Sequence, residues 1–228
     1  MGCCFRKFEH LGCAGCEDLV CKSSKPTYVW DAAALPAGPV TLTHASDFDT
    51  NGVLYCIGTK GGTCKYQNPQ KTGAVTVTAS SKGRGGVYAD RRLVQHQHDG
   101  KSNCTRDMPG STMALALGGG VELEVAHYCL RHGNDCGAYR LRHWDLQASQ
   151  DGRTWTTLRS HRDDQSLPDA AFSTMGWAVE GGKGTFSQFR IRQTGKNSND
   201  EYDSLWCAGI ELYGVLHSPQ RIISVQAP

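Results

Sequence analysis

Cysteine carries most of the chemistry that this sequence offers. There are eleven among 228 residues, an odd number, so they cannot all pair within the chain. Cys3, Cys4, Cys13, Cys16 and Cys21 crowd the amino-terminal end, and the other six are scattered beyond it. Cys13-x-x-Cys16 can place two thiolates on one tetrahedral zinc ion at about 2.3 Å, with Cys21, His10 or Cys4 completing the set. Gly2-Cys3-Cys4 offers a second chemistry, myristate on Gly2 and palmitate on a neighbouring thiol, although Arg6 stands where that motif wants Ser or Thr. An unliganded arm packed against a partner is the third reading.

Further along, His96-Gln97-His98-Asp99 has the alternation of a metal-binding strand edge, in a polar stretch that also reads as a solvated loop. Lys82, Arg84, Arg91, Arg92, Lys101 and Arg106 face only Asp90 and Asp99 in the same segment. Such a basic loop can meet an acidic partner or simply be solvated. Arg131, His132, Arg140, Arg142 and His143 can contact a sugar, or cover strand edges and form surface pairs. No G-x-S-x-G, P-loop or H-E-x-x-H is present. Asp163-Asp164 are adjacent on a turn rather than opposed across a site, so they do not make an acid–base pair. The expectation is a protein without catalytic activity.

Composition narrows the class. Lys and Arg number 24 against 22 Asp and Glu, a net charge of +2, too balanced for a general nucleic-acid binder. No apolar run approaches the roughly 20 residues of a membrane-spanning helix. Met1 to Lys7 lacks the apolar stretch of a secretory signal. The expected setting is a reducing compartment, the cytoplasm, with mostly free thiols and Asn103-Cys104-Thr105 unglycosylated. Association with membrane or cytoskeleton is the alternative.

The elements that must position these groups read as strands. Residues 1–39 lack a sustained period and end in the Ala- and Pro-rich stretch Ala32 to Pro39, which reads as a linker. Residues 40–216 form the expected domain and 217–228 a tail. Thr50-Asn51-Gly52 precedes the apolar run Val53 to Ile57, which reads as turn and buried strand. Val75 and Val77, Met113 to Leu117, and Val121, Leu123 and Val125 give further strands. Trp144, Leu146 and Ala148 alternate with Asp145, Gln147 and Ser149 before Asp151-Gly152, a tight hairpin signal, and Trp155 is expected to join Trp144 in the core. Phe186, Phe189 and Ile191, then Ile210, Leu212 and Tyr213, close the series. Short strands at intervals of roughly ten residues indicate an all-β sandwich or barrel.

Five stretches carry a family resemblance. Tyr128 to Asn134 and Leu141 to Leu158 resemble the central strands of a discoidin, or coagulation-factor C-type, domain. Phe189 to Asn197 and Ala208 to Gly214 resemble its closing strands, and Asp47 to Thr59 resembles the opening of the intracellular branch found in some HECT-type ubiquitin ligases and BTB proteins. The resemblance implies an all-β, jelly-roll, galactose-binding-like sandwich that binds sugars, lipids or proteins through loops at one end. One departure bears on any inherited pocket: Ser111 to Leu117 lacks the large aromatic and the terminal acid of the family's strand. The functional expectation is a non-catalytic protein-interaction or structural subunit of a larger assembly. A carbohydrate- or lipid-recognition module is the first alternative, and a substrate-recognition component in ubiquitin ligation the second.

Overall fold

The computed structural model of the chain describes residues 31–83, 87–180 and 184–219. Gly2, Cys3, Cys4, His10, Cys13, Cys16, Cys21 and Arg84 lie outside the described residues, as does the tail from residue 220.

Among the described residues a 3-10 turn (Ala32–Ala34) is followed by nine strands and two short α-helices in order: β1 (Gly38–Leu42), α1 (Val53–Gly58), β2 (Val75–Ala79), α2 (Asp90–Leu93), β3 (Thr112–Leu117), β4 (Glu122–His132), β5 (Trp144–Ser149), β6 (Thr156–His161), β7 (Thr174–Ala178), β8 (Gln188–Gln193) and β9 (Cys207–Ser218). They form two antiparallel sheets, β1-β9-β4-β7 and β2-β3-β8-β5-β6, stacked as a sandwich. The expected all-β jelly-roll class is observed. Within the stretch read as a linker, Ala32 and Leu35 are buried in the main core, and Gly38 and Pro39 pair with β9.

The core comes from the inward rows of both sheets. Met113, Leu115, Trp144, Leu146, Ala148, Phe189 and Ile191 face Leu123, Val125, Tyr128, Leu130, Ile210, Leu212 and Leu216. Each large side chain withdrawn from water contributes on the order of 1.5–3 kcal/mol. Trp144 Nε1 donates to the Tyr128 hydroxyl at 3.0 Å, and that hydroxyl is 2.7 Å from His161 Nε2. His161 Nδ1 reaches Asp164 at 2.5 Å, so the buried polar atoms of this core end on a carboxylate.

Three local expectations are corrected. Val53 to Ile57 is a helix: Val53, Leu54, Cys56 and Ile57 are buried while Tyr55 is only half-buried, a helical rather than an alternating pattern. Trp155 stays outside the core, because the hairpin loop after β5 is longer than a two-residue turn; its ring lies under the Arg190 guanidinium, 4.0 Å from the centroid. Of the Asp151-Gly152 pair only Gly152 takes a positive φ, and Asp151 instead accepts from the Arg153 and Thr154 amides.

In β4 the inward row changes parity. Leu123 and Val125 face the core, and then Tyr128 and Leu130 do, because a β-bulge between Val125 and His127 inserts Ala126 opposite β9. His127, Cys129 and Arg131 are thereby turned to the outer face, beside Tyr213, Glu211 and Gly209 of β9. The bulge rests on Gly214, whose φ is +149° and whose added Cβ would lie 1.9 Å from the Glu124 carbonyl oxygen. Gly214→Ala is therefore expected to cost about 3 kcal/mol or more, against about 1 kcal/mol for Gly100→Ala, where a Cβ meets nothing. Chemical denaturation of the two variants checks the difference.

Candidate functional site

The outer face of the β1-β9-β4-β7 sheet is covered by the segment from His44 through α1. Gly52 brings α1 against β9 so closely that a Cβ there would lie 2.2 Å from the Glu211 carboxyl carbon. The α1 amino terminus has no side-chain cap of its own. Glu211 supplies one from across the fold, its carboxyl accepting from the Leu54 amide at 2.8 Å and the Tyr55 amide at 3.2 Å, as well as from the Leu212 amide at 3.0 Å. Burial pushes this carboxyl up to about 8, partly offset by the three backbone donors.

Two residues along β4, Arg131 stacks over Phe48, 3.9 Å from the ring centroid. It donates to the carbonyls of Gln95 at 3.1 Å and His96 at 2.8 Å. Arg92 holds the same loop from behind, donating to Asp99 at 3.2 Å and to the Val87 and Ser102 carbonyls at 2.9 Å each. Tyr66 completes the support, giving its hydroxyl proton to the Val94 carbonyl at 2.8 Å and accepting from the His96 amide at 3.2 Å.

Between α1 and this anchored loop lies a cleft of about 820 Å³. Tyr55, Tyr66 and His96 provide its ring surfaces, and Asn68, Lys71, Arg91, Gln97 and Asp99 its polar rim. Tyr55 and Tyr66 are near-parallel at 5.7 Å, and His96 lies 4.5 Å from Tyr55. His96 Nδ1 is a buried ring nitrogen with no hydrogen-bond partner among the described residues. Desolvation, with Arg131 adding to it, holds the His96 imidazole below its ordinary range, so the ring is neutral at neutral pH. Aromatic faces beside convergent amides and one unsatisfied nitrogen can bind a ligand rich in hydroxyl or amide groups.

The residues singled out in the sequence divide. Arg91 lines the cleft and lies 3.4 Å from Asp99, whereas Arg92 and Arg131 are buried and spend their donors on the loop behind it. Lys82 is exposed and pairs with Asp90 at 3.7 Å. Lys101 and Arg106 are exposed, and Arg106 belongs to a separate hollow beside Met108 and Trp206. His132 is buried against the Cys136 carbonyl, 3.1 Å away, and burial holds its ring down to about 4. Arg140 pairs with Asp169 and donates to the Gly137 carbonyl at 2.7 Å, away from the cleft. Arg142 donates to Asp163, and His143 accepts from the Asp163 amide at 3.1 Å. Tyr55 and Tyr66 were not singled out from the sequence; Tyr55 falls in the run expected to be a strand.

Two outcomes test this construction. A carboxyl whose folded-state value is raised stabilises fully below its ordinary 4.5 and loses that contribution as pH rises toward 8. Wild-type stability is thus expected to fall across this window relative to Glu211→Gln, by up to about 1.4 kcal/mol per pH unit, in urea titrations at successive pH values. Arg131→Ala is expected to speed amide hydrogen exchange at residues 95–98 at least tenfold, since two carbonyls lose their donor.

No protein-family profile matches the chain. It is 37% identical over 177 residues to the E3 ubiquitin-protein ligase Ufd4 of Drosophila melanogaster, and 38% identical over 179 residues to the E3 ubiquitin-protein ligase hecd-1 of Caenorhabditis elegans. Those alignments take in 76% and 77% of this chain, which spans only 6% of the length of either relative. Among solved structures, the CBM32-3 module of a family 31 glycoside hydrolase from Clostridium perfringens superposes with a TM-score of 0.50 and 10% identity, covering 62% of this chain and 92% of that one. That likeness is one of fold. The chain is a β-sandwich with the fold of that module, related in sequence to a short segment of these two ubiquitin ligases.

Proposed function

We propose that the chain is a non-catalytic recognition module of the discoidin type, and that its ligand binds in the cleft between α1 and the 95–99 loop. The observation that carries this reading is the cleft itself. Its ring surfaces and polar rim line one space, and both walls are tied to the sheet by buried ionisable groups, Glu211 and Arg131. Preorganised walls lower the ordering cost of binding.

The chemistry of the lining favours a glycan. Sugar faces present C–H groups that pack on an aromatic ring, and their hydroxyls suit planar amides and guanidinium groups. The sequence relation to two ubiquitin ligases favours a second reading, in which the cleft docks a polar segment of a protein within a larger, cytoplasmic ligase-like assembly. Lipid recognition draws no support from the cleft, whose rim is polar rather than apolar.

Screening the full chain on a glycan array, followed by titration calorimetry with the sugars retained, tests the first reading. Tyr55→Ala and Gln97→Ala are expected to weaken the bound sugar at least tenfold while leaving the melting temperature within a few degrees of wild type. Absence of any sugar signal would discard the glycan. Unchanged affinity in both variants would remove the cleft as the binding site.

A further inference from the structure

The parity change in β4 brings together a set of donors that the cleft does not use. His127 and Cys129 alternate on its outer face, and the segment after β1 lays His44 and Asp47 across them. Donor atoms of His44, His127 and Cys129 all lie within 4.8 Å of one another. Asp47 Oδ1 borders this group of three, 3.3 Å from His44 Nε2 and 3.1 Å from Cys129 Sγ. The two imidazoles stack with centroids 3.8 Å apart.

Two details set this cluster apart from an ordinary polar contact. His127 Nε2 is buried and has no hydrogen-bond partner among the described residues, an unfavourable state if nothing meets it. Beside it, Gly176 of β7 lies opposite Cys129, and a Cβ placed there would be 2.6 Å from His127 Nε2, 2.7 Å from Asp47 Oδ1 and 2.9 Å from Cys129 Sγ. Three donors from three residues thus converge on a space that only glycine leaves open. Tetrahedral zinc, with bonds of about 2.0–2.3 Å, needs its donors roughly 3.3–3.8 Å apart, so a pair at the 4.8 Å limit closes by about 1.0–1.5 Å.

We infer that His44, His127 and Cys129, with Asp47 as fourth donor, form a binding site for zinc. The donor set is the borderline-soft mixture that zinc accepts, and a thiolate, a carboxylate and two neutral imidazoles balance its charge. Binding releases the Cys129 proton to solvent, which His44 and Asp47, each about one quarter exposed, leave within reach. The ion ties the His44–Asp47 segment to β4, and so fastens the covering layer that includes α1. This site stands independently of the cleft and of its ligand.

Cobalt(II) titration of the 228-residue chain tests it, because thiolate-to-cobalt charge transfer reports sulfur coordination directly. Cysteines 13 and 16 offer a competing site, so a Cys13→Ser/Cys16→Ser variant is titrated in parallel. One equivalent of cobalt is expected to give a thiolate band in wild type and in that double variant, and the band is expected to vanish in Cys129→Ser. A band that survives Cys129→Ser, or one lost in the double variant, overturns the assignment, as does the absence of stoichiometric binding. X-ray absorption on the zinc-loaded unmodified chain guards against a misfolded variant. One sulfur with three nitrogen or oxygen neighbours is expected, and a shell dominated by sulfur would place the ion on the amino-terminal cysteines instead.

Discussion

The bulge between Val125 and His127 is the constraint from which the outer face of this sandwich follows. One extra residue, accommodated by Gly214, reverses which side chains of β4 look into the core. Upstream of it the odd-numbered residues are inward and apolar; downstream Tyr128 and Leu130 take over the core, and His127, Cys129 and Arg131 turn outward. The outward-facing chemistry of β4 depends on that reversal. Arg131 reaches the cleft loop only because it faces outward, and His127 and Cys129 meet His44 and Asp47 for the same reason.

The outer face is then held by ionisable groups placed where water is scarce. Glu211 is buried and its carboxyl is met by three backbone amides, so the cost of desolvation is set against the otherwise unsatisfied amino terminus of α1. Arg131 is likewise buried, stacked on Phe48 and donating to two carbonyls. Between them these groups set the distance from Tyr55 to His96, and hence the width of the cleft. Buried polar groups here serve geometry: each fixes one wall, and removing either leaves the partner groups unpaired.

Much of the sandwich was legible because burial on one face imposes a period of two. Val75 and Val77, Trp144 to Ser149 and Phe189 to Ile191 all form the strands that their alternation suggests. The failures have local causes. Val53 to Ile57 is a continuous apolar run, which periodicity cannot assign to strand or helix, and the choice was made by Glu211, more than 150 residues away. Trp155 reads as core by residue type, yet a longer hairpin loop turns it under Arg190. Arg92, Arg131 and His132 read as surface cations, and only packing shows that they are buried.

By itself, then, the amino-acid order determined the two-layer β architecture, because apolar alternation and turn residues act through neighbours along the chain. It also contained one trace of the outer cluster, the i, i+2 spacing of His127 and Cys129, which puts two donors on one side of any strand. Which side that is, and what lies across from it, was decided by tertiary structure alone. A bulge leaves no period in the sequence, and the meeting of Glu211 with α1, of Arg131 with the 95–96 carbonyls and of His44 with His127 joins segments far apart in the chain. Such contacts are set by how the sheet is covered, a property of the folded body and not of any window of residues.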